Sequence, residues 1–93
     1  MKVKISCQDK HEAVKLASLI FIKDGMETFI RSVVNVYGSE LVISLKDKSV
    51  HSIVLRDAEQ VEAFTDFVQS VVEGKSKITG TKAENDTVEI TKD

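Results

Sequence analysis

The chain of 93 residues is 42% hydrophobic and 30% charged, which excludes wholesale disorder and suits one small globular domain. A formal net charge of −2 gives no general pull toward nucleic acid or an anionic membrane. Cys7 is the only cysteine, so no internal disulfide can form and a disulfide-stapled secreted domain is excluded.

Val3, Ile5 and Cys7 alternate with Lys2, Lys4 and Ser6, the period of a strand with one face buried. Such a start does not match a signal peptide, and the expected compartment is the cytoplasm. Asp9 with Glu12 three residues on then marks a helix start, because the Asp carboxylate accepts from the unpaired N–H groups of a first turn. The helix is predicted from about Lys10 to Lys23, closed by Gly25.

The run from Ala13 to Ile22 is too short for a membrane span, which needs about 20 apolar residues, and Lys15 and Ser18 interrupt it. Ala13, Leu16, Ala17 and Ile20 make a stripe that a sheet can cover. Val14, Leu19, Phe21 and Ile22 fall outside that stripe and are expected at an oligomer interface, since apolar residues around a whole helix imply burial on more than one side. An extended conformation from Leu19 to Ile22 fits the same residues, because short apolar runs are not assigned by periodicity alone.

Three strands follow, Phe29 to Tyr37, Glu40 to Lys46 and Val50 to Arg56, joined by Gly38-Ser39 and by Asp47-Lys48-Ser49. Loops this short join antiparallel neighbours. Alternation sets Leu41, Ile43 and Leu45 on one face with Ile30, Val34 and Val36. Val50 and Val54 point one way in the third strand and Ile53 and Leu55 the other, so cover is expected on both faces.

Asp57-Ala-Glu-Gln60 opens a second helix, in which Val61, Phe64, Phe67, Val68, Val71 and Val72 form one stripe that Gly74 ends. Glu59, Glu62, Asp66 and Glu73 line the wet side, which reads as a solvated face. Residues 75–93 turn polar and read as an extension of a domain spanning 1–74. Val88 and Ile90 fit a short edge strand at 87–91 or a loose tail equally. No internal repeat is visible. The expected fold is an α+β two-layer sandwich, a mainly antiparallel sheet with two helices on one face, in the order β-α-β-β-β-α with a C-terminal strand.

Chemistry-bearing patterns are few. Cys7 and His11 flank a strand-to-helix junction where a thiolate could be activated, but Cys7 shares the apolar face of Val3 and Ile5 and reads as a small buried hydrophobe. His51 is the only other histidine, too few for a zinc set, and the Asp-rich calcium loop is absent. Gly25, Gly38, Gly74 and Gly80 are isolated, so no phosphate-binding loop exists. Lys2, Lys4, Arg31 and Lys46 could line a basic sheet face, yet Tyr37 and Phe29 are too few aromatics for an RNA-reading sheet. Residues 1–56 carry nine Lys and Arg against six Asp and Glu, and residues 57–93 carry four against nine, so the second half would repel phosphate.

With no catalytic constellation, cofactor or metal set, the chain reads as a non-enzymatic binding protein. The expected function is a homo-oligomeric regulatory or inhibitory protein–protein interaction module of bacterial or phage type. The alternative is a protein that binds or sequesters a small molecule, a nucleotide or metabolite, at a subunit junction. Arg31, Tyr37 and His51 are the candidate binding residues in either case. Partners are expected to be a second copy and a protein target or small ligand, not nucleic acid or membrane.

Overall fold

The computed structural model describes residues 2–20, 30–75 and 78–92, and of residues 30–36 and 72 it describes the backbone alone. It is a small α+β fold with the elements β1 (Lys2–Ser6), α1 (Lys10–Ile20), β2 (Ile30–Tyr37), β3 (Glu40–Leu45), β4 (Val50–Val54), α2 (Ala58–Val72), β5 (Ile78–Glu84) and β6 (Thr87–Lys92). The strands form two antiparallel three-stranded sheets, ordered β1-β6-β5 and β2-β3-β4. Ile5, Cys7, Leu41, Ile43, Leu45, Ile53, Leu55, Val88 and Ile90 alternate along the strands and join the helix residues Leu16, Ile20, Phe64 and Phe67 in one core. The opposite sheet face is exposed or half-buried, so both helices cover the same side.

Residues 78–92 correct the expected boundary at residue 74. They form a hairpin whose β6 is the central strand of its sheet, with Val88 and Ile90 fully buried. Strand β2 corrects a second expectation. Alternation would set Val34 and Val36 opposite the Leu41, Ile43 and Leu45 face, but the register pairs Val33 with Ile43 and Asn35 with Leu41. Irregularities between Ile30 and Ser32 and between Asn35 and Tyr37 shift the pairing, as inserted residues do. Leu19 and Ile20 are helical, which removes the extended alternative there; residues 21–23 lie outside the described residues.

Among the described residues the backbones of the two sheets meet at one bridge. Cys7 and Leu55 form an isolated antiparallel bridge, with Gln8 N–H donating to the Val54 carbonyl and Arg56 N–H to the Ser6 carbonyl, both at 3.0 Å. Each strand then turns into its helix. Asp9 accepts from Glu12 N–H at 3.0 Å and Asp57 from Gln60 N–H at 3.1 Å, so the two helices are capped alike. The third helical residue of each reaches across to the other strand. Val54 N–H donates to Glu12 Oε1 and Ser6 N–H to Gln60 Oε1, each at 2.8 Å. Cys7 N–H donates to the Asp86 carbonyl at 2.7 Å and Leu55 N–H to the Ser39 carbonyl at 2.8 Å, both carbonyls lying in two-residue hairpin turns.

These matches define two units of the same topology, β5-β6-β1-α1 and β2-β3-β4-α2, that meet at the antiparallel Cys7–Leu55 bridge. Each unit has a bulge near the start of its hairpin, between Ile78 and Gly80 and between Ile30 and Ser32. Each hairpin turn begins with a residue at φ +54, Asn85 and Gly38. The first unit is split in sequence, its hairpin following the second unit. That order, and identity at only Ile5/Ile53 and Asp9/Asp57 across residues 2–20 and 50–68, conceal the repeat.

Helix α2 ends at Glu73 in a paired reversal. Gly74 N–H donates to the Val71 carbonyl and Lys75 N–H to the Ser70 carbonyl, and Gly74 takes the left-handed φ of +78 that this turn requires.

Glu12 is 7% exposed and its second oxygen meets Lys15 Nζ at 2.8 Å. Glu12→Gln should cost less than about 1 kcal/mol, because an amide oxygen can still accept from Val54 and the lost ion pair is partly exposed. Glu12→Leu should cost about 1–3 kcal/mol by leaving that N–H unpaired. Urea unfolding midpoints of the two variants measure the difference.

Candidate interaction surface

The paired construction of the fold makes every position in one unit comparable with its counterpart in the other. On the outer sheet face of the first unit, Lys2 pairs with Glu89 at 3.3 Å and Lys82 with Glu84 at 3.3 Å. The register sets Lys4 opposite Glu89 and Glu89 opposite Lys82, so charges alternate across all three strands. The second unit carries Val50 where the first has Lys2, Ser52 for Lys4 and Val42 for Glu89. One face carries alternating charges, and its twin has Val50, Val42 and the Ser52 hydroxyl in their place, with Glu40 as a charged group beside them.

The exposed large hydrophobic residues among those described are Val14 at 48%, Tyr37 at 83% and Val50 at 62%. Their counterparts in the other unit are Glu62, Glu84 and Lys2. An open groove of about 510 Å³ runs between α1 and β4, lined by Val14, Lys15, Ser18, Leu19, Val50, His51, Ser52 and Ile53. Three of the residues singled out from the sequence, Val14, Leu19 and His51, therefore meet in one place. A second hollow of about 330 Å³ on the outer face by the β5–β6 turn is polar, lined by Lys4, Lys82, Glu84 and Glu89 among others.

The remaining candidates fall elsewhere. Leu19 is itself 6% exposed, held in the chain's own core, so only its edge reaches the groove and it needs no partner for burial. Tyr37 pairs with Glu40, and Glu40 with Val54, which sets it on the outer face; His51 pairs with Ile43 on the helix side. Tyr37 and His51 thus do not share a site. Arg31 lies where only backbone is described, and Phe21 and Ile22 lie outside the described residues. Ser52 was not legible as a site residue, because its importance depends on β4 lying at the inner limit of its sheet.

His51 Nε2 is 3.1 Å from Ser49 Oγ. Ser49 also bonds Asp47 through its hydroxyl and its N–H, which holds the Asp47 carboxyl below its ordinary range. Asp57 is likewise lowered, chiefly by the Gln60 N–H of its cap and then by Arg56. Among the described residues no group of three or more His, Cys, Asp or Glu could hold a metal ion. No described helix is long and apolar enough to cross a membrane.

Cys7 is fully buried in the bridge while His11 is exposed on the first turn of α1. Burial, followed by the charges of Glu12, Asp86 and Asp9, pushes the thiol from its ordinary 9.0 up to about 12. That is opposite to the activation a catalytic thiolate needs. The folded chain should resist iodoacetamide at about pH 8 and react fully in urea. Because the unfolded thiol releases its proton first, this group's contribution to stability is present below about pH 9 and is lost as the pH rises toward about 12. Rapid native labelling would contradict the burial.

Compared with known proteins, the chain matches no family model, no curated sequence and no solved structure.

Proposed function

We propose that the chain is a non-enzymatic protein-interaction module that self-associates, and that its regulatory or inhibitory contact with a target depends on that assembly. The observation that carries this reading is the contrast between its two units. Tyr37 and Val50 of the second unit are exposed apolar side chains where the first has Glu84 and Lys2, and Val14 of the first unit is exposed where the second has Glu62. The twin residues are compatible with the same backbone, so folding alone does not demand apolar residues there. Val14 and Val50 border one groove, and exposed apolar groups brought together in this way mark an interaction surface.

The chemistry of the described residues supports binding over catalysis. The buried Cys7 thiol is held protonated, and the groove presents one imidazole, one ammonium already paired with Glu12, and otherwise apolar or hydroxyl groups. A surface with this little charge suits a protein partner better than a phosphate-bearing one.

Sedimentation equilibrium of the purified chain at micromolar concentration should give a dimer or larger species. Val50→Lys installs the residue that the twin position already carries, so it should dissociate the assembly and leave the melting temperature within a few degrees. A wild-type chain that stays monomeric contradicts the reading.

A further inference from the structure

The pairs Leu45–Ser49 and Leu55–Ser39, whose N–H groups donate to the facing carbonyls, bracket the β3–β4 ladder and fix which β4 groups bond β3. His51 and Ile53 turn their backbone groups toward β3. Val50, Ser52 and Val54 turn theirs away, since successive residues of a strand alternate. Val54 is already satisfied: its N–H donates to Glu12 and its carbonyl accepts from Gln8. The N–H and carbonyl groups of Val50 and Ser52 are therefore left facing outward along the rim of the groove.

We propose that β4 pairs antiparallel with β4 of a second copy of this chain about a two-fold axis at His51, so that Ser52 of each copy bonds Val50 of the other. The inference rests on the self-association proposed above and specifies its geometry. An axis at Ser52 would set Val50 against Val54, whose groups are taken. An axis at Val50 would set Ser52 against Lys48, which lies in the turn at φ +74. An axis at His51 pairs every outward group with a partner and leaves none over.

Charge favours the same occupant. In a two-fold contact each side chain near the axis meets its own copy, so an edge bearing charge repels itself. The equivalent edge, β1, carries Lys2 and Lys4, a common guard against edge pairing. Val50 and Ser52 replace them on β4, and the guard is gone. Val14 on α1 borders the same groove and would gain cover from the added strand.

The axis sets His51 of one copy opposite His51 of the other. The groups facing each ring are Ser49 Oγ at 3.1 Å on its own strand, Asp47 in the preceding turn, and Lys15 across the groove, itself held by Glu12 at 2.8 Å.

The test uses the full chain with His51→Cys. At a non-hydrogen-bonded antiparallel pair the Cα atoms lie about 4.5 Å apart, within disulfide reach. Mild oxidation should therefore give a covalent dimer through residue 51, identified by mass spectrometry of its tryptic peptides, while buried Cys7 stays reduced. Ser52→Pro removes one outward N–H without touching the β3 ladder, and should raise the dissociation constant about tenfold or more where Ser52→Ala does not. A monomeric wild-type chain overturns both this geometry and the self-association reading. A wild-type dimer that neither cross-links through residue 51 nor responds to Ser52→Pro, with circular dichroism showing both variants folded, overturns the geometry alone. Pairing of a monomeric chain's β4 with an extended peptide of another protein overturns the second copy as occupant.

Discussion

The structure depends on how two strands with almost no overlap are held side by side. β1 and β4 share one bridge, Cys7 with Leu55, and two backbone hydrogen bonds. A contact that short would open easily if the next groups along each strand had no partners. Glu12 and Gln60 supply them, each reaching from the first turn of one helix to the N–H of the opposite strand. Both bonds are partly buried, and leaving such an N–H unpaired costs about 1–3 kcal/mol. The caps at Asp9 and Asp57 aim both helices, and the helices then cover both sheets with one core.

This construction separates what the fold requires from what it merely permits. Residues that agree between the units in role, such as Leu16 and Phe64 or Ile5 and Ile53, are core. Residues that disagree on the surface are not constrained by folding in the same way. Charge pairs occupy the outer face of one unit, whereas Val42, Val50 and Tyr37 stand at the matching positions of the other. The interaction reading follows from that difference, because a shared backbone supplies its own control.

Much of the fold was legible in local pattern. The β1 alternation, both Asp caps and the Val61–Val71 stripe each state their element, because a period of two or 3.6 needs no knowledge of distant residues. What failed was long-range or weakly patterned. β5 buries only Ile78 among its described side chains, so nothing in Thr79–Glu84 announces a strand, although Asn85-Asp86 between polar runs was a usable turn signal. The β2 register was not legible because bulges break the alternation on which the reading relied. Glu12 was read correctly as a helix-start residue, yet its carboxylate turns across to β4 instead of back to its own cap. For the site, Val14 was visible as an apolar residue outside the sheet-facing stripe, and the strand from Val50 as one apolar on both faces. The open edge of β4 was not, because it exists only once the sheet order is known.

Native-state hydrogen exchange followed by NMR tests the central claim most directly. If Glu12 and Gln60 hold the junction, the amides of Ser6 and Val54 exchange only through global unfolding, at the same free energy as core amides such as those of Ile53 and Val88. Exchange of Ser6 and Val54 at the rate of exposed edge amides such as that of Lys2 would contradict it.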